Sequence, residues 1–218
     1  MTIGAEHCEI KSTHCMSDFL KPVSEDKVDG RRLRSERSRL AFVDAVLALQ
    51  EEGFLVPTAQ QIADRAGVGI RSFFRHFEDM ESLFKAIDDH IRDSYEALFI
   101  GGDRSGTLEE RIDAMVRRRA DAFESVTNIT QGTRAQLWRY QTLRDNYARN
   151  QRGLRKDLDN LLPELHALPD ETRESIDAIT SFEMWDRLRS HQGLNKADSI
   201  NLLRTLLKNV MAAEREQG

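Results

Sequence analysis

The sequence predicts an all-α protein, with an N-terminal three-helix helix-turn-helix domain joined by a long helix to a C-terminal helical domain. Three observations predict it. Apolar residues recur at three and four positions through most of the 218 residues, and no stretch alternates as a convincing strand. Thr58 to Phe77, TAQQIADRAGVGIRSFFRHF, reads as two short helices about a glycine turn. The composition is 32% charged and 7% aromatic with only 4 prolines, which suits a soluble helical chain.

Residues 1–30 read as a polar tail with no sustained helical period. The tail holds both cysteines, in His7-Cys8 and His14-Cys15. Histidine and cysteine are zinc ligands, but this spacing is not a usual ligand loop and no second pair follows, so neither a metal nor a disulfide is expected. Met16 is an alternative start.

Arg31 to Leu40, RRLRSERSRL, sets five arginines against one glutamate and runs into AFVDAVLALQEEGF. Leu40, Val43, Val46 and Leu47 give this first helix an apolar face, and Gly53 stops it. In the next element Thr58 and Gln61 have capping-box spacing. Ile62, Ala63 and Ala66 face inward, and Gly67 supplies a left-handed end. The second helix, Gly69 to His76, places Ile70, Phe73, Phe74 and Phe77 at i, i+3, i+4 and i+7 as an inward stripe. Arg71, Ser72, Arg75 and His76 are left outward.

A helix pair of this form can lay its second helix in a DNA major groove. Arginine forks onto guanine, serine serves base or phosphate, and a cationic histidine reaches a phosphate. The same hairpin can also be an ordinary core element with solvated charges. Regional charge favours DNA. The formal net charge is −5, yet residues 31–77 hold eight arginines against five carboxylates, a balance of +3, so the remainder carries −8.

The stretch resembles the DNA-binding domain of TetR-family transcriptional regulators. The matching residues are Thr58, Ile62, Ala63, Ala66-Gly67-Val68, Ser72 to Phe77, and Leu83. Phe74 stands where the family usually has tyrosine, and Met80 where it usually has lysine. The resemblance implies a domain over 31–78, with Gly69 to His76 in the groove. Arg71, joined by Ile70 against a thymine methyl, would read bases. Arg34, Thr58, Phe74, Arg75 and His76 would position the protein on phosphates.

Asp79 is an N-cap for a helix of about 20 residues to Phe99, long enough at roughly 30 Å to leave one domain and enter the next. Ile100 to Gly106 is a loop. Thr107 and Glu110 open a helix expected to run to about Val126. Another is expected from about Thr133 through Leu137, Trp138, Leu143 and Tyr147, towards Leu162. Pro163 and Pro169 break the chain. Asp170 is expected to cap a single helix ending at Gly193, and Asn195 to cap the last, where Ile200, Leu203, Leu206, Leu207 and Val210 form a stripe.

Residues 79–218 resemble the effector-binding and dimerisation domain of the same family. That likeness implies a homodimer through the last two helices and a small-molecule effector between the middle ones. Phe123, Leu137, Trp138, Arg139, Tyr140 and Trp185 are the ligand-binding candidates, as large side chains on the expected pocket helices; packing as simple core explains them too. The overall expectation is a ligand-responsive repressor bound as a homodimer to a palindromic, double-stranded DNA operator. The other reading is a helical protein–protein adaptor. No phosphate-cradling glycine loop, G-x-S-x-G or H-E-x-x-H occurs, and the histidines outside the tail are scattered, so neither an enzyme nor a cofactor is expected. No apolar run approaches ~20 residues and no signal pattern opens the chain, so a cytoplasmic, membrane-free protein is expected.

Overall fold

The structure, a computed structural model, describes residues 30–215. The tail cysteines and their histidines lie outside the described residues. Among the described residues the chain is helical with no strand: α1 (Gly30–Glu51), α2 (Ala59–Ala66), α3 (Ile70–His76), α4 (Met80–Phe99), α5 (Leu108–Arg134), α6 (Gln141–Leu161), a 3₁₀ turn (Pro163–Ala167), α7 (Asp170–Ile179), α8 (Phe182–Asp186) and α9 (Lys196–Arg215). A π-helical turn, Arg187–His191, extends α8.

Local chemistry sets most of the ends. Thr58 and Gln61 form the capping box of α2, and Thr107 and Glu110 that of α5. Asp79 caps α4 through the Ser82 amide at 2.8 Å, and Asn195 accepts from the Asp198 amide at 2.9 Å to start α9. Gly67 takes φ 65° and closes α2, with its own amide and that of Val68 donating back to the Asp64 and Ala63 carbonyls. A side chain at that φ would be strained.

Buried apolar side chains fall into two clusters. In one, Phe42, Val43 and Val46 of α1 meet Ile62 of α2, Phe73 and Phe77 at α3, and Leu83 of α4. In the other, Met115, Val116 and Phe123 of α5 meet Leu158 of α6, Trp185 of α8 and Leu207 of α9. α1 and α4 both pack on α5, so the groups are joined through helix contacts and not by a linker alone. Arg119, 3% exposed, ties the second cluster together. It donates to the Leu154 carbonyl at 2.6 Å and to the Thr180 carbonyl at 3.0 Å.

Three helix limits differ from the sequence expectation. α5 continues past Val126 to Arg134, and within it Thr127 turns its hydroxyl onto the Phe123 carbonyl. The expected helix start at Thr133 is instead the end of α5. Leu137 and Trp138 lie in a turn, and α6 starts at Gln141. The segment after Asp170 is two helices: Thr180 returns its hydroxyl to the Ile176 carbonyl, and Ser181 caps α8 through the Met184 amide.

Candidate nucleic-acid interface

The second helix of the hairpin is held from one side. Phe73 is fully buried and Phe77 nearly so, and both stand against Phe42 of α1 with ring centroids 5.4 and 6.0 Å apart, edge to face. Such edge contacts add about 0.5–1.5 kcal/mol per pair to the burial itself. Ile70 packs partly on the same cluster. Phe74 does not: it is 58% exposed and meets only the edge of Phe73, at 5.3 Å. The expected four-residue inward stripe is therefore three residues wide, and Phe74 joins the outer face.

That outer face carries Arg71, Phe74 and Arg75, all exposed, with Ser72 partly so. Arg75 donates to the Ser72 hydroxyl at 3.0 Å, which aligns the two polar groups. Gly69 is the exposed N-cap of α3 and makes no side-chain cap. Thr58 is exposed, but its hydroxyl is engaged with Gln61 in the capping box. Arg34 is exposed on the first turns of α1, its Nε donating to the Gly30 carbonyl at 3.0 Å.

His76 departs from the expected outward cation. Its ring sits 6.0 Å from Phe42, and its Nε2 is buried without a hydrogen-bond partner among the described residues. Burial, then the neighbouring Arg75 and Arg39, push its pKa below the ordinary histidine value of 6.5. The imidazole is therefore mostly neutral at pH 7 in the free protein, and it braces α3 against α1. Arg39, which sequence reasoning did not single out, lies 5.6 Å over the Phe77 ring beside it. Its only sequence signal is membership of the arginine run.

The six ligand candidates do not converge. Phe123 and Trp185 are 3% and 1% exposed in the second core cluster. Trp185 Nε1 donates to Glu124 at 3.1 Å. Trp138 is 80% exposed on the α5–α6 turn, and Arg139 lies 5.1 Å over the Tyr140 ring. Leu137 lies partly buried in the same turn and gives its carbonyl to Arg144 at 2.6 Å. A cavity of about 80 Å³ does occur, between α1, α4, α5 and α6, but none of the six lines it. Its walls include Gln50, Tyr95, Ile129, Thr130 and Gln136. Size alone did not bring the six together: Phe123 and Trp185 went to the core and Trp138 to the surface.

Residues 44–87, from α1 through α3 into α4, match the model of bacterial regulatory proteins of the tetR family. Over that segment the chain is similar to the TetR family of bacterial regulatory proteins. The chain is 29% identical over 105 residues to an uncharacterised HTH-type transcriptional regulator of Haemophilus influenzae, covering 47% of this chain. It spans 44% of the length of that curated relative. Two solved structures share the fold. A transcriptional regulator from Rhodococcus superposes with a TM-score of 0.60 at 16% identity, over 82% of this chain and 96% of its own. A TetR transcription regulator from Haloarcula marismortui gives 0.54 at 16% identity, over 81% and 97%. The matched TetR segment ends in α4, eight residues before Tyr95, so the cavity walls contributed by α5 and α6 lie outside it.

Among the described residues no three histidine, cysteine, aspartate or glutamate side chains gather to hold a metal. No helix among them is long and apolar enough to cross a membrane.

Proposed function

We propose that this chain represses transcription by binding a palindromic DNA operator as a homodimer through α2 and α3, and that a small-molecule effector releases it. Residues 31–78 are the reading domain in this account, and 79–218 the effector-binding and dimerisation domain. The observation that carries it is the exposed face of α3. Arg71, Ser72, Phe74 and Arg75 stand outward on a helix pinned by Phe73 and Phe77, within the segment that matches the family. Arg71 and Ile70 read bases; Arg75, Ser72, Phe74, Thr58, Gly69 and Arg34 set the register on the backbone. His76 takes part by holding α3 against α1.

Two further features support the proposal. Leu202, Leu206 and Val210 of α9 and Met184 of α8 are only partly buried within one chain, a pattern that an isologous two-fold contact would complete. α4 reaches from the first apolar cluster into the second, so its tilt can carry a change from one to the other. An effector acts only through different affinity for two tilts.

The test is binding to a palindrome-bearing duplex at several salt concentrations. Phosphate contacts make log affinity fall linearly with log salt, by roughly 0.9 for each phosphate neutralised. A steep fall is expected. Binding indifferent to salt would point to the protein-adaptor alternative.

A further inference from the structure

The cavity between α1, α4, α5 and α6 has a chemistry of its own. Thr130, Gln50 and Gln136 line it and are each more than nine-tenths buried. Burial pushes the Tyr95 hydroxyl's pKa above its ordinary 10, so that group stays a protonated donor. Around these polar atoms the walls are apolar, with Phe84, Ile87, Ile91, Ile129 and Leu143.

The charged groups at the cavity are paired with one another, with the buried Arg149 Nε left without a hydrogen bond among the described residues and the carboxylates in excess. Arg149 donates to Asp88 at 2.5 Å and to Asn146 at 3.0 Å, and its Nε lies 3.9 Å from Glu96. Arg92 is held by Asp88 and by Asp89 at 3.2 Å. Two guanidinium groups thus face three carboxylates. An ionic ligand would have to break these pairs or enter unpaired, and an unpaired buried charge is costly. The outer cleft between α4 and α6, about 280 Å³, shares Tyr95, Arg149 and Asn150 with the cavity and gives a way in.

One wall belongs to the DNA-reading end of the molecule. Gln50, in the last turn of α1, reaches towards the Leu55 carbonyl at 3.5 Å, three residues before the Thr58 cap of α2. At 3.5 Å this contact is long and readily exchanged. Gly132 of α5 lies so close that an added Cβ would stand 2.6 Å from both Gln50 Nε2 and the Leu55 carbonyl.

We propose that this cavity binds a small, uncharged molecule with an apolar body and a hydroxyl or carbonyl group, and that Gln50 senses it. The inference rests on the effector-responsive reading and gives it a ligand class. A ligand oxygen that engages Gln50 competes with Leu55, and so acts on the α1–α2 loop without any relay. At about 80 Å³ the cavity is smaller than the ~150 Å³ that takes benzene, so a ring the size of phenol occupies it together with part of the adjoining 280 Å³ cleft.

The experiment measures binding of phenol, benzoate and benzene to the full-length protein at pH 7, without DNA. Phenol should bind at least tenfold tighter than benzoate. Gln50→Met, which removes the amide but keeps the side chain's length, should bring phenol down to the affinity of benzene, and Ile129→Trp should fill the space and abolish both. Circular dichroism separates a filled cavity from an unfolded chain. Benzoate binding as tightly as phenol, phenol binding unchanged by both variants, or no binding by either neutral probe would overturn the proposal. The operator is then added. Phenol that binds without altering operator affinity leaves the cavity site standing and removes the effector reading. Operator release by other compounds, in a protein that ignores phenol and benzene, removes the cavity proposal alone.

Discussion

The Glu81 carboxylate, on the first turn of α4, accepts the Thr142 hydroxyl at 2.7 Å and caps the start of α6 from another helix. It also accepts the amides of Gln141 at 2.9 Å and Thr142 at 3.3 Å. Tyr140, the residue before α6, offers no side-chain cap of its own, so Glu81 fills that role. The α3–α4 corner is thereby fastened to the middle of the chain, next to α3.

These bonds hold the Glu81 pKa below its usual 4.5, the Thr142 hydroxyl contributing most. A carboxylate with a depressed folded pKa stabilises the fold above its unfolded pKa and loses that stabilisation as pH falls through the folded value. Glu81→Gln is therefore expected to lower Tm near neutral pH, with the gap to wild type narrowing below pH 4.5. Thermal melts from pH 7 to pH 3 check this. A gap that widens in acid would contradict it.

Arg71→Ala should cost roughly 1–3 kcal/mol of operator binding and change which base is tolerated at one position. Arg75→Ala should weaken all sequences alike if, as proposed, Arg75 and Ser72 contact the DNA backbone. Competition against a set of single-base operator variants separates the two. A uniform loss for Arg71→Ala would move that residue to the phosphates.

Gly132 and Gly153 should respond oppositely to alanine. At Gly132 the new methyl would meet Leu55 and Gln50 at 2.6 Å, and overpacking of this kind costs about 1–3 kcal/mol. At Gly153, exposed within α6, nothing lies within 4 Å, and alanine should gain about 0.4–1 kcal/mol. Chemical denaturation of both variants gives the signs directly. A neutral Gly132→Ala would mean that the α1–α2 loop gives way freely.

Arg119→Ala should be the costliest of these changes. It leaves the Leu154 and Thr180 carbonyls without their buried donor and opens a void between α5, α6 and α7. Burial lowers the guanidinium pKa to about 10, still charged at neutral pH, with Asp157 and Asp177 nearby as counterions. Removing one member of such a buried group costs about 3–5 kcal/mol. For a chain of this size that is a fall of about 6–20 °C in Tm. A fall of under a degree would contradict it.

The sequence was most legible where local chemistry decides the structure. Thr58, Gln61 and Gly67 place α2 because a cap, a box partner and a left-handed glycine each act within a few residues. Asp79, Thr107 and Asn195 do the same for α4, α5 and α9. Legibility failed where a distant partner decides. Phe74 has the spacing of a core residue, but no helix covers that side of α3. Thr127 and Gly132 look like breakers, yet Thr127 bonds back to Phe123 within α5, and Gly132 is small because the α1–α2 loop presses on it. Thr180 and Ser181 sit inside a continuous apolar period, and the chain breaks there because their hydroxyls bond locally while Arg119 takes the Thr180 carbonyl. The cavity was not visible at all, since its polar wall is drawn from Gln50, Tyr95 and Thr130 on three separate helices and from Gln136 in the α5–α6 turn.

Selection of bound sequences from a pool of random duplex DNA by the full-length protein tests the central claim most directly. The account predicts enrichment of a palindrome whose half-sites lie about one helical turn, ~34–36 Å, apart. A bound pool no different in sequence from the starting pool, or one enriched for unpaired half-sites without two-fold symmetry, would contradict it.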